Sequence, residues 1–276
     1  MPMFNKVAII GTGLIGGSLA LEIKKKKLAR EVVGVSKHKS SISLALKMKA
    51  IDKGSISLKI IKGADLLIIA TPVDTIIGLK NEILKYVDKD CVVTDVGSTK
   101  EKIVARLEKI FPNYVGSHPL AGSEKRGIIN ASTSIFDGSL CILTPTKNTT
   151  LRSLNNIKQL WKSLGTRVII LTPMEHDRVL SFVSHLPHVV AFSLINTVPG
   201  KLLKFSSGGL KDTTRIAASD TTLWKDILLS NRRNLLAAIR LFEVNLDKIK
   251  SAIKTNNIQA IKRILLQSKR VRESLK

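Results

Sequence analysis

A chain of 276 residues is long enough to bury one large core or two modest ones. Its 44% hydrophobic content excludes a disordered chain, and no uninterrupted apolar run reaches the roughly 18 residues of a membrane span. The net charge of +24 raises nucleic-acid binding, but the lysines are scattered and aromatics make up only 4%, so no basic stripe interleaved with stacking side chains exists.

The first predicted element is a short apolar strand, Val7 to Ile10, too close to the N-terminus to leave room for a signal peptide. Gly11-Thr12-Gly13-Leu14-Ile15-Gly16 follows, and a helix is predicted from Gly16 to Lys27. Strand, glycine turn and helix in that order mark a dinucleotide-binding loop. Gly11 permits the tight turn, Gly13 lets a pyrophosphate approach the backbone, and Gly16 allows close helix packing. The helix N-terminus favours the phosphate charge, and Leu14 and Ile15 belong to the same cofactor-binding set.

A second strand, Val32 to Val35, ends in Ser36-Lys37-His38-Lys39. A carboxylate at this point would grip the ribose hydroxyls of NAD, and none is present. Ser36, Lys37 and His38 suit a 2′-phosphate better, which leaves NAD or NADP open and favours NADP slightly. Further strands are predicted at Ala64–Ala70, Val92–Val96, Tyr114–Gly116, Leu140–Leu143 and Arg167–Leu171. Thr71-Pro72-Val73-Asp74 reads as a cap with proline at the first helical position, and Thr71 and Pro72 are assigned to the cofactor site. Ser98-Thr99-Lys100-Glu101 and Thr172-Pro173-Met174-Glu175 have capping-box spacing. Cys91 and Cys141 lie in strand-like runs, as buried free thiols of a reducing cytoplasm would. Continuous apolar strands between helices predict an α/β, mainly parallel sheet covered on both faces, a Rossmann-type domain over residues 1–172.

After Leu171 the strands stop. Val179–Val198 is apolar with a break at Pro187, Leu223–Lys254 is one long periodic pattern, and a last helix runs to about Arg272. Residues 173–276 are therefore expected to form a helical substrate-binding domain. Its apolar faces exceed what it can hide alone, which predicts a homodimer.

The candidate chemistry begins with Ser98, at a strand end, as a substrate hydrogen-bonding group or a simple helix cap. His118, in Gly116-Ser117-His118-Pro119-Leu120-Ala121-Gly122-Ser123-Glu124, follows a strand on the ligand-binding edge and titrates near neutrality, as a general base should. Ser184-His185-Leu186-Pro187-His188 resembles metal ligands, but no cysteine or carboxylate completes a site, so no metal is assigned. His188 is read as a donor to a substrate carboxylate or keto group. In Gly208-Gly209-Leu210-Lys211-Asp212-Thr213-Thr214-Arg215, two cations sit one helical turn apart and Trp224 follows. The planar fork of Arg215 is suited to clamp a carboxylate.

Taken together, Gly11–Ser18, Gly97–Lys100, His118–Glu124, Ser184–His188 and Gly208–Ile227 resemble the prephenate dehydrogenases, also called cyclohexadienyl dehydrogenases, of tyrosine biosynthesis. The resemblance implies oxidative decarboxylation of prephenate to 4-hydroxyphenylpyruvate with hydride transfer to NAD(P)+. It implies catalytic roles for His118 and Ser98 and a ring-carboxylate clamp at Arg215. Ser123, Glu124, His176, His188, Lys211 and Trp224 match substrate-pocket positions, with Lys211 acting across a dimer interface. Two rivals stay open: arogenate as substrate, and a nucleotide-sensing or nucleic-acid-binding protein on the same fold.

Overall fold

A computed structural model describes residues 1–122, 125 and 127–275. The chain begins with β1 (Phe4–Ile10), α1 (Leu14–Lys25), β2 (Ala29–Val35), α2 (Lys39–Lys47) and β3 (Lys53–Ser55). It continues through β4 (Leu66–Ile69), α3 (Val73–Ile83), β5 (Val92–Asp95), α4 (Glu101–Leu107) and β6 (Tyr114–Pro119). β7 (Leu140–Thr144), α5 (Leu151–Ser163) and β8 (Arg167–Ile170) complete one eight-stranded sheet in the order β3-β2-β1-β4-β5-β6-β7-β8. Every pairing is parallel except β6 with β7. The strands are apolar on both faces because helices cover both. One core cluster includes Val7, Ile9, Leu66 and Trp161, the other Ala8, Ile10, Leu67 and Ile69. Strand order reverses between β1 and β4, and the crevice there opens at the carboxyl edge of the sheet.

The helical half holds α6 (Pro173–Leu180), α7 (Leu186–Thr197), α8 (Gly208–Thr214), α9 (Thr221–Ser230), α10 (Arg232–Lys254) and α11 (Ile258–Glu273). By packing, Met1–Asn231 forms one compact unit and Arg232–Lys276 another. Within the second unit, α10 packs on α11, yet Leu236, Leu241, Leu246 and Leu265 remain exposed.

Local expectations differ from the structure at several points. β3 is polar and three residues long, so no hydrophobic period announced it. The first helix opens at Leu14, not Gly16. α3 begins at Val73, so Pro72 stands at the cap position, and Thr71 Oγ1 is buried with no partner among the described residues. α4 has no capping box. Lys100 is its cap residue, and the Asp177 carboxylate takes the Lys100 and Glu101 N–H groups from 77 and 76 residues away. The capping box of Thr172 and Glu175 does form. Pro187 breaks nothing: a π-turn at Ser181–His185 joins α6 to α7, and proline falls in the first turn after it. The resulting Pro173–Thr197 helix is long and apolar enough to cross a membrane by length and composition, which no uninterrupted run in the sequence suggested. The Leu223–Lys254 pattern is two helices parted at Asn231.

Candidate active site

The glycine loop closes tightly on the ends of β1 and β4. Gly11 has φ +97°, and a methyl group on it would meet the Ala70 carbonyl oxygen at 2.3 Å. A methyl on Gly16 would strike the Gly11 oxygen at 1.9 Å, whereas one on Gly13 would meet nothing within 4 Å. Two glycines thus serve packing, and the third leaves backbone open to a ligand. The Gly11 N–H donates to Val35 O at 2.8 Å, bringing the loop beside the end of β2. Lys37 and His38 are exposed there and Ser36 is half-buried. Gly13, Leu14, Ile15, Thr71 and Pro72 line a cavity of about 380 Å³ together with Ser98 and His118. An open cradle at a helix N-terminus, with cationic and hydroxyl groups at the end of β2, fits a nicotinamide dinucleotide.

A second cavity, about 450 Å³, shares Ser98 and His118 with the first. It is also lined by His185, His188, Arg215 and Trp224, and its volume suits a small organic acid. His188 stacks on Trp224, with ring centroids 3.6 Å apart. Its Nδ1 lies 2.9 Å from the Ser184 carbonyl, to which it donates. Asn231, at the helix break, sends its amide N–H to Asp177 O at 2.7 Å and lies 3.1 Å from His185 Nδ1. Arg215 follows α8 on a short 3₁₀ turn, its side chain exposed at the cavity wall. Lys211 is exposed and lines neither cavity, and Ser123 and Glu124 lie outside the described residues.

Behind His118 lies a connected polar network that sequence reasoning missed apart from His176. His118 Nδ1 is 2.8 Å from His176 Nε2, and His176 Nδ1 is 2.8 Å from Asp177 Oδ1. His176 is fully buried and lines neither cavity, so it is no substrate contact in this arrangement. Lys100 and Asp95 form an ion pair with both side chains at 0% exposure. Lys100 Nζ also donates to Ser117 O at 2.7 Å, directly preceding His118. Asp95 additionally accepts from Tyr114 OH at 2.6 Å and Gly97 N–H at 2.8 Å. His118 and His176 stand 58 residues apart, and Lys100 and Ser117 17 apart, so no sequence period links them and only three dimensions reveal the contacts.

Burial holds the site histidines neutral. The His118 imidazole does not titrate near neutrality as its sequence position suggested: desolvation pushes it well below its usual range, with His176, Lys100 and His185 adding to the effect. His176 falls to about 2 and His185 to about 4, each chiefly through burial. Their folded-state values lie below the unfolded value near 6.5, so the unfolded chain binds protons that the folded chain refuses. The stability this contributes is complete above about pH 6.5 and is lost as pH falls. The urea midpoint is therefore expected to fall between pH 6.5 and 4.5. A flat midpoint over that range contradicts neutral rings at His118, His176 and His185.

Comparison with known proteins agrees with this geometry. The family described as prephenate dehydrogenase, nucleotide-binding domain, matches residues 19–176, and prephenate dehydrogenase, dimerization domain, matches residues 172–267. The chain belongs to the prephenate dehydrogenase family. The prephenate dehydrogenase of Bacillus subtilis is 34% identical over 99% of this chain and 76% of its own. The cyclohexadienyl dehydrogenase of Zymomonas mobilis is 32% identical over 100% of this chain and 98% of its own. The crystal structure of the Aquifex aeolicus prephenate dehydrogenase, in complex with hydroxyphenyl propionate and NAD+, superposes with a TM-score of 0.94 at 35% identity. That superposition covers 99% of this chain and 98% of the other. As a member of the prephenate dehydrogenase family, with its nucleotide-binding domain, the chain is an NAD(P)-dependent oxidoreductase.

Proposed function

We propose that this chain catalyses the oxidative decarboxylation of prephenate to 4-hydroxyphenylpyruvate and carbon dioxide, a step of tyrosine biosynthesis. One observation carries the reading: Ser98 and His118 line both cavities, so they face the glycine loop on one side and Arg215 and His188 on the other. The bound nicotinamide supplies the hydride acceptor. His118 takes up the proton of the ring hydroxyl as general base, and Ser98 hydrogen-bonds and orients that hydroxyl. Arg215 grips the ring carboxylate with two parallel N–H groups. Release of that carboxylate as carbon dioxide leaves an aromatic ring, so the driving force lies in the substrate and the protein supplies orientation. His188 and Trp224 receive the pyruvyl side chain. Lys211 serves the pocket of a second protomer. His176 acts behind His118 rather than on the substrate.

The same residues bear on finer choices. A boundary between residues 172 and 173 divides the cofactor and substrate halves, and the two family matches meet between 172 and 176. Ser36, Lys37 and His38, with no carboxylate beside them, favour NADP over NAD. The exposed leucines of α10 and α11 support a homodimer. We assign the exposed flank of α6–α7 (Val179, Phe182, Val183) to that partner and not to a membrane, because the same helix carries His176, Asp177 and His185. The net charge serves to attract an anionic substrate and cofactor, not nucleic acid. Cys91 and Cys141 are free and buried, in keeping with a cytoplasmic setting. Prephenate is preferred to arogenate. The arogenate ammonium needs an acidic partner, and none of the described residues that line the Arg215 cavity beside His188 is a carboxylate; Glu124, outside the described residues, is the residue to replace in testing this preference.

Absorbance assays with prephenate and arogenate, each with NAD+ and NADP+, test the proposal directly. Failure to reduce either dinucleotide with either substrate overturns it. Replacing Arg215 by Ala is expected to cost about 2–5 kcal/mol of substrate interaction, read in kcat/KM. Arg215→Lys should recover only part of this, because an ammonium cannot make the paired contact. Full recovery by lysine removes the two-pronged clamp.

A further inference from the structure

We infer that His176 and Asp177 are positioning residues that fix the tautomer of His118 and so decide which of its nitrogens faces the substrate. The inference rests on the reading of His118 as base.

A neutral imidazole has one N–H and one lone pair, so each hydrogen bond it makes constrains the other nitrogen. The chain of constraint starts at Asp177. Its Oδ1 accepts the Lys100 N–H at 2.7 Å and its Oδ2 accepts the Glu101 N–H at 3.0 Å, both at the N-terminus of α4. With a backbone donor on each oxygen, the side chain acts as a carboxylate acceptor. His176 Nδ1, 2.8 Å from Oδ1, must then carry the ring proton. His176 Nε2 is left with a lone pair. That lone pair faces His118 Nδ1 at 2.8 Å, so His118 carries its own proton on Nδ1 and donates it. The lone pair of His118 falls on Nε2, the only ring nitrogen left to receive a proton.

The arrangement extends the logic of the serine protease triad by one ring. There a carboxylate sets the tautomer of an adjacent histidine; here it does so through an intervening imidazole. The proton taken from the substrate hydroxyl comes to rest on His118 Nε2, and both Nδ1 protons stay in place. The resulting imidazolium strengthens its bond to His176, because the donor is then charged. Burial keeps His176 from competing for that proton. His176 reaches the substrate only through His118, since it lines neither cavity.

Asp177→Ala tests this by removing the acceptor that holds the His176 proton on Nδ1. His176 then can carry its proton on Nε2, which drives the His118 proton to Nε2 and blocks the base. The expected result is a kcat lower by about 10²- to 10⁴-fold with substrate KM within a few-fold. Unchanged kcat overturns the inference. His176→Gln keeps an acceptor for His118 Nδ1 and His176→Leu removes it, so Gln should retain at least tenfold more kcat than Leu. Equal losses overturn it. Should any variant fail to fold, ¹⁵N NMR of ring-labelled wild-type enzyme decides: His118 must show a protonated Nδ1 and a bare Nε2, and the reverse pattern overturns the inference. The NMR pattern is independent of substrate. A chain inert toward prephenate that still shows it would end the proposed function and leave the tautomer assignment standing.

Discussion

His118→Asn is expected to lower kcat by about 10²- to 10⁴-fold, the usual contribution of a general base, while dinucleotide affinity stays within a few-fold. The substitution isolates chemistry from structure. Asparagine is close to histidine in size, and its amide N–H can replace the Nδ1–H donation to His176. It therefore keeps the buried neighbour satisfied while offering no basic nitrogen to the cavity. Steady-state kinetics with prephenate, alongside fluorescence titration of NADH and NADPH, separates the two effects. Turnover within threefold of wild type removes His118 from the mechanism. A loss of dinucleotide binding equal to the loss of turnover would instead mark a collapsed site.

The second large effect concerns stability. Lys100→Ala is expected to destabilise the fold by about 3–5 kcal/mol, because it strands a buried carboxylate. Asp95 is completely buried, and removal of the ammonium leaves its carboxylate, among the described residues, Tyr114 OH and the Gly97 N–H. Such a loss lowers Tm by roughly 6–20 °C in a domain of this size. The double variant Asp95→Asn/Lys100→Met should recover much of it, since deleting both charges removes the desolvation cost along with the attraction. Thermal unfolding of both variants gives the answer. A cost below about 1 kcal/mol for the single change would show that water reaches Asp95 and relieves it.

These effects share a location. Lys100 bonds Ser117 O through its side chain and Asp177 through its backbone, so it ties the strand carrying His118 to the helix carrying His176. None of this was legible from spacing. Gly11, Gly13 and Gly16 announce themselves because a glycine loop is local, and His118 because it follows a strand at the ligand edge. The parallel strands were legible because both faces are apolar; β3 was not, because three polar residues have no period. Asp177 carried no signal in the sequence, because its N–H partners belong to a helix start 77 and 76 residues away. Ser98 and Thr99 looked like the cap that α4 takes instead from Asp177. Local chemistry was readable, and long-range polar partnership was not.

The π-turn at Ser181–His185 has a consequence for how this chain can change over time. A π-turn spreads five residues over roughly the rotation that four take in an α-helix, so its surplus residue bulges out while the helices on either side keep a common rotational phase. Deleting a single residue there would restore regular α geometry and leave His188 still facing Trp224. The bulge can therefore be lost or gained without turning the pocket wall around.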